Sequence, residues 1–457
     1  MMTGESARHL DPGERRDHGR RLRQTCSRVE QARCKFSGDR QDPVAVIMAA
    51  NRGRVPQLLP IKYERMAESA FGFFRGAAPV MAADLASQPR CGLTVQICGD
   101  AHVRNLGSFT APDGRLIFDI NDFDETVRGP FEWDVKRLAT SLVLAGREAH
   151  DTDKQCKDAV RVFVRAYREA MFGFSRMAIL DLARYRVHRH LHFAPLRSVL
   201  RKAEQSTPRH NLERLTAAAG ASRRFKPLPP LLTRVDRRTA SRVLAALKSY
   251  RQTLAPERQH FFDQYHPLDV AFKVVGTGSV GLRDYVVLMQ GNGKMDALFL
   301  QVKEERPSCY GRYLPDLRPA EHEGRRVVEG QRAMQAQSDI LLGWTSIEGR
   351  DYLVRQLSDH KASIETGDLA GEGLTQYALV CGEVLAKGHA RSGDPCALAG
   401  YLGASPKFDT ALAAFAVAYA DQTASDHEKF VAAVKSGRIK TAGSLQAAGR
   451  SLSSTKV

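Results

Sequence analysis

Cys98-Gly99-Asp100-Ala101-His102-Val103-Arg104-Asn105, followed by Phe118-Asp119-Ile120-Asn121-Asp122-Phe123-Asp124-Glu125, is the stretch on which the reading of the fold turns. The run LTVQIC at 93–98 has the apolar, β-branched character of a strand, so it is expected to deliver Asp100 and Asn105 on a short loop. Asp113-Gly114 is a hairpin turn signal, and the chain it reverses brings Asp119, Asp122, Asp124 and Glu125 back beside that loop. Residues two apart on an extended segment share a face, which groups Asp122 with Asp124. Carboxylates crowded on one face repel unless a cation neutralises them. Oxygen ligands of this kind suit Mg²⁺, which takes one or two carboxylates and completes its shell with water and substrate phosphates. The competing reading is a solvated acidic turn.

Two hundred residues on, Gly276-Thr277-Gly278-Ser279-Val280-Gly281 forms a GxGxxG pattern. A dinucleotide site needs a helix directly after such a loop. Here LRDYVVLMQG reads as a strand, and ALFLQVK then ends in Lys303. Strand, glycine loop, strand and a lysine-bearing strand is the kinase arrangement, in which loop N–H groups cover phosphates and the lysine pairs with them. The alternative is a glycine-rich β-turn next to a surface lysine. Glu329, on a predicted helix after the lysine strand, is the expected partner of Lys303; Glu304 and Glu305 are expected to point along the strand end.

The fold class expected is α+β. Residues 1–42 are polar and read as an N-terminal extension, and 436–457 as a flexible tail. Between them, 43–265 combine the acidic loop with amphipathic helices, 266–360 hold the glycine loop and Lys303, and 361–435 are helices that return to the first part.

PIKYERMAESAFGFFRGAAPVMAADLA, VQICGDAHVRNLGSF, FDINDFDETVRGPFEWDVKRLA, VVGTGSVGLRDYVVLMQG, LQVKEE and LAKGHARSGD, in that order, resemble the bacterial family DUF2252 over residues 43–430. That family is grouped by similarity with the protein-kinase-like fold. CGDAHVRN is similar to the HGDxHxxN catalytic loop of aminoglycoside and choline phosphotransferases, and NDFDETVRGPFEWDVKRLA to the acidic segment that follows it there. The resemblance implies that Asp100 is the base, that Asn105 and Asp122 bind metal with Asp124 as an auxiliary ligand, and that Asp134 braces the loop. His102, Asp119 and His389 are expected in supporting places; His389, which follows a helix with Arg391 and Asp394, reads as part of the active-site floor or as a polar helix-end cap. Cys98 replaces the family's first histidine, and Asn121 the apolar residue before the metal aspartate. An ordinary kinase places the glycine loop and lysine before the catalytic loop, whereas here they follow it. The helix YALVCGEVLAKGHARSGD, similar to the one that leads into a catalytic loop, comes near the end. This order predicts a circularly permuted, two-lobed kinase-like fold, which chain termini lying close together would permit.

The 457 residues are 43% apolar and 26% charged, the composition of an ordinary globular chain and not of a disordered, collagenous or coiled-coil one. No apolar run of about eighteen residues suggests a membrane span, and the charged N-terminus lacks the apolar stretch of a secretory leader. A cytoplasmic protein with no membrane partner is expected. Eight cysteines without a CxxC pair argue against a zinc ribbon or disulfide framework. The net charge of +17 favours polyanionic partners, nucleotides and nucleic acid included. The alternating His188, His190 and His192 offer a possible zinc site, and Arg75 a phosphate or acidic-substrate contact. The expected function is an ATP- and Mg²⁺-dependent phosphotransferase acting on a small-molecule hydroxyl. The alternatives are adenylyl transfer on the same fold, a nucleic-acid-binding protein or metal nuclease, and an inactive nucleotide binder.

Overall fold

The helix Phe131–Glu148 is buried along nearly its whole length, although it carries Glu132, Asp134, Lys136 and Arg137. In the computed structural model, which describes residues 10–444 except 37, 39, 188–192, 206–207, 221, 275 and 358–361, it is the axis of the larger core. The helices Asp153–Phe174, Glu372–Ser392 and Lys407–Lys435 pack around it. The first starts in a capping box, with the Thr152 side chain accepting from the Gln155 N–H and the Gln155 side chain accepting from the Thr152 N–H.

Four short strands lie against this bundle: β1 (Thr94–Ile97), β2 (Leu106–Thr110), β3 (Leu116–Ile120) and β4 (Val127–Pro130). β1 pairs with β4 and β2 with β3, both antiparallel. The β2–β3 hairpin turns at Asp113-Gly114 as expected, with Gly114 at φ +79.

The region expected to be largely helical also holds β5 (Thr216–Ala219), β6 (Ser222–Phe225) and β7 (Leu232–Arg234). They are followed by β8 (His266–Lys273), β9 (Asp284–Gln290), β10 (Ala297–Glu305), β11 (Gly343–Ile347), β12 (Arg350–Gln356) and β13 (Ala362–Ser363). A six-stranded sheet runs β11-β12-β10-β9-β8-β7 with antiparallel pairing throughout. The helix Glu323–Met334 connects β10 to β11 and packs on β12. One face of the sheet covers a second core, where Val270, Val287 and Leu300 meet Val243, Leu247 and Tyr250 of the helix Arg237–Gln252. On the other face Val286, Leu288 and Phe299 meet Leu212, Leu215 and Phe225. Period-two alternation puts Gln301 and Lys303 on that same face as Phe299.

Of the N-terminal stretch expected as a polar extension, the described residues from 10 onward pack onto the molecule. The helix Pro12–Arg21 lies on the helix Pro395–Leu402, and Arg23 donates to the carbonyl oxygen of Tyr401 at 2.9 Å. Arg40 makes paired contacts with Asp84 and Asp426 at 2.6–2.9 Å, all three side chains being largely buried. Replacing Arg40 by Met would leave two buried carboxylates without their cation, so urea unfolding of Arg40→Met is expected to show a loss of about 3–5 kcal/mol.

Candidate functional site

β1 ends in a loop whose shape is fixed from behind. Gly99 sits at φ +81, and a Cβ there would lie 2.3 Å from the Glu125 carbonyl oxygen, so the position requires glycine. Asp134, in the first turn of the helix Phe131–Glu148, accepts from the N–H groups of Cys98 and Gly99 at 2.8 and 2.9 Å. His389 is fully buried and stands behind Asp134 at 3.3 Å, its other nitrogen 2.8 Å from the Tyr167 hydroxyl. Asp119 pairs with Lys387, both buried. Asp134 and His389 therefore stand behind the loop, Asp119 ties β3 to the helix Glu372–Ser392, and none of the three lines the cleft, in contrast to the reading of His389 as part of the active-site floor.

Asp100 faces the cleft. The Asn105 amide donates to the Asp100 carbonyl oxygen at 2.9 Å and closes the loop. The Asp100 carboxylate accepts from Arg137 Nε at 2.7 Å and lies 2.5 Å from Arg137 Nη2. Burial pushes the Asp100 carboxyl up, and Arg137 opposes that shift. His102 lies 3.8 Å from Asp100, and burial together with Arg75 and Arg137 holds it well below the ordinary range, so it is neutral.

Lys303 crosses from the sheet to this loop. Its ammonium donates to both carboxylate oxygens of Asp124 and lies 3.9 Å from Glu305. Residues 179 positions apart thus meet. Burial and the Asp124 charge push Glu305 well up. Glu329 does not partner Lys303: it projects to the solvent side of its helix and binds Arg325 at 2.7 Å. The helix turns Val327, Val328, Gln331 and Met334 inward, and Glu329 falls between them on the outer face. Glu305 shares the Lys303 face, while Glu304 takes the opposite one and binds Arg283 and Arg350. Asp124, expected as an auxiliary metal ligand, is held by Lys303 and by the Ser279 hydroxyl at 2.9 Å.

The glycine loop joins β8 to β9 and folds down over Asp100. Gly276 and Gly281 have φ +66 and +91. Its carbonyls are held from the helical N-terminal segment. Lys62 donates to Gly278 at 2.7 Å, Arg54 to Gly278 and Val280 at 2.8 and 2.7 Å, and Arg65 to Gly276. Lys62 is 2% exposed and has no carboxylate partner among the described residues; burial and Arg54 hold its ammonium well below its usual range. Arg75 also lines the cleft, its Nε buried without a hydrogen-bond partner, and burial lowers it to about 10. Sequence reading singled out Arg75 but not Arg54, Lys62 or Arg137.

Three cavities are linked through shared wall residues. The central cleft, about 100 Å³, is lined by Asp100, His102, Asn105, Asp122, Thr277 and Lys62 among others. A mostly apolar cavity of about 320 Å³, lined by Leu215, Phe225, Val274, Val286 and Leu357, shares Gly276 with it. A third, about 890 Å³, shares Arg54, Glu125 and Arg306 with the cleft on another side.

Asp122 has no ion-pair partner of its own among the described residues. Burial and the Asp124 charge push it up to about 6, as expected of a carboxylate short of a cation. Among the described residues no group of three His, Cys, Asp or Glu side chains is assembled for a metal. Asp122 and Asn105 on one cleft still fit Mg²⁺, which needs few protein ligands when phosphates supply the rest. His188, His190 and His192 lie outside the described residues. No helix is long and apolar enough to cross a membrane among the described residues.

The chain belongs to the family described as "Uncharacterized protein conserved in bacteria (DUF2252)", whose family model matches residues 54–433. No curated protein and no solved structure matches it.

Asp284 pairs across the sheet with Lys303 and is buried, with one carboxylate oxygen bonded to Gln301 at 2.7 Å and the other without a partner. Burial pushes it up to about 6. Since this lies above the unfolded value of about 3.9, protonation favours the fold. The contribution is present in full below about pH 4 and is lost as the pH rises through about 6. Asp284→Asn is therefore expected to be more stable than wild type at pH 7.5, with the difference shrinking at pH 4, as read by urea unfolding at both values.

Proposed function

We propose that this protein is an ATP- and Mg²⁺-dependent phosphotransferase of circularly permuted kinase-like fold, acting on a hydroxyl-bearing small molecule. One observation carries the reading: a lysine on the third strand of a meander, β10, meets Asp124 of the Asn-Asp-Phe-Asp segment beneath a glycine loop, and Asp124 lines the cleft that also holds Asp100 and Asn105. The surrounding topology supports it. A glycine loop links the first two strands of that meander, a helix follows the lysine strand, and β12 then inserts beside β10 with β11 outside it. In kinases the lysine sits on the third small-lobe strand and a helix follows it. The catalytic-type loop precedes this unit in sequence yet adjoins it in space, which is the order a permutation produces.

In this reading the purine occupies the apolar 320 Å³ cavity, and the phosphates pass Gly276 into the cleft. Lys303 and the glycine loop bind the phosphates, and Asp122 with Asn105 holds Mg²⁺. Mg²⁺ held there would supply charge neutralisation for the phosphates. Arg137 fixes the Asp100 carboxylate so that it faces the acceptor hydroxyl. The acceptor oxygen forms its bond to the γ-phosphorus as the bond to the β,γ-bridging oxygen breaks, ADP leaves, and the hydroxyl proton passes to Asp100. The rate gain comes from positioning and charge neutralisation.

Thermal-shift titration tests this. ATP at about a hundred times its dissociation constant adds about 2.7 kcal/mol, a rise of several degrees. The rise is expected only with Mg²⁺ and ATP together, and Lys303→Ala is expected to remove it. Asp100→Asn is expected to keep the rise while lowering turnover by about a hundredfold or more. No shift in folded wild-type protein would reject the reading. Transfer of label from the α-phosphate instead of the γ-phosphate would replace phosphoryl by adenylyl transfer.

A further inference from the structure

The 890 Å³ cavity has a charge balance unlike that of the cleft it adjoins. Four glutamates line it, and each is engaged: Glu125 accepts from the Cys309 N–H at 2.7 Å, Glu323 binds Arg326, and Glu321 and Glu329 bind Arg325. Five further arginines on its wall make no ion pair with a carboxylate among the described residues. Arg54 donates to glycine-loop carbonyls, and Arg128 to the carbonyls of Ser392 and Thr94. Arg306 reaches only the Ala50 carbonyl at 3.3 Å. Arg312 lies over the Tyr313 ring, with its guanidinium carbon 5.6 Å from the centroid, and Arg318 has no charged partner. Seven arginines against four glutamates leave the wall with a surplus of three positive charges, in a space large enough for a metabolite.

Its position gives that charge a purpose. The cavity meets the cleft at Arg54, Glu125 and Arg306, whereas the apolar cavity meets it at Gly276. Glu125 also packs on Gly99, directly before Asp100. A ligand in the basic cavity would therefore approach Asp100 from the side away from the apolar cavity.

We propose that the basic cavity is the acceptor site of the phosphotransferase read above, and that the acceptor is a multiply anionic small molecule carrying phosphate or carboxylate groups beside its reactive hydroxyl. Guanidinium groups suit such anions because they present paired donors at fixed geometry. Arg312 and Arg318 bind the distal anion, and Arg306 and Arg54 hold the end nearer Asp100.

Inorganic pyrophosphate and citrate serve as probes, titrated calorimetrically with and without saturating Mg²⁺ and the non-hydrolysable analogue β,γ-imido-ATP. The expected result is one site that persists with the analogue bound, weakens by about tenfold or more in Arg312→Gln/Arg318→Gln, and survives in Lys303→Ala. Both arginines are exposed, so an unchanged melting temperature confirms that the double variant is folded. Affinity unchanged in the double variant overturns the proposal. So does loss of the probe on adding the analogue or in Lys303→Ala, which would place it where nucleotide phosphates sit. Tighter, steeply salt-dependent binding of duplex DNA through the same two arginines would overturn it in favour of nucleic acid. If the analogue itself fails to bind, the nucleotide reading falls, while the titrations without it still test the cavity.

Discussion

The buried contact between Lys303 and Asp124 joins two bodies of structure that the sequence keeps far apart. Lys303 is 3% exposed, and an ammonium in that position is tolerable only with its charge matched and its protons bonded. Asp124 supplies both oxygens, Ser279 of the glycine loop adds a hydroxyl to the same carboxylate, and Glu305 stands behind. One carboxylate therefore sets the distance between β10, the glycine loop and the segment after β3. Arg326 fastens the same junction by donating to the carbonyls of Asp124, Thr126 and Arg306. Arg326 thereby ties its helix to the segment after β3 and to the end of β10.

Much of this was legible because chemistry with strict backbone demands leaves local marks. The turn at Asp113-Gly114, the strand on either side of the glycine loop and the lysine at the end of β10 are all encoded within a few residues of themselves. The helix after β10 was also readable, but which of its acids faces inward was not. That depends on the rotation of the helix against β12, and Val327, Val328 and Met334 set that rotation by their burial, leaving Glu329 outside. Polarity misled at the N-terminus for a similar reason. A segment rich in arginine looks solvated until Asp84 and Asp426, distant in sequence, are seen to hold Arg40. Arg137 was missed because its partner lies on another element, although it sits one turn past Asp134 in the stretch of the helix where the polar side chains from Glu132 to Ser141 are buried.

The site's remaining tension lies in the glycine loop. Its carbonyls are bound by Arg54, Lys62 and Arg65, and at least the first two are heavily desolvated for that purpose. A neutral carbonyl is a poor partner for a buried cation, since it offers only partial charge against the full cost of removing an ammonium or guanidinium from water. An anionic phosphate arriving in the cleft would be the better partner for Lys62 and Arg75. Its arrival would also weaken the bonds that hold the loop down over Asp100. Lys62 is thus both a cation that holds the loop and one an anion would engage, so holding the loop and binding the ligand draw on the same charge.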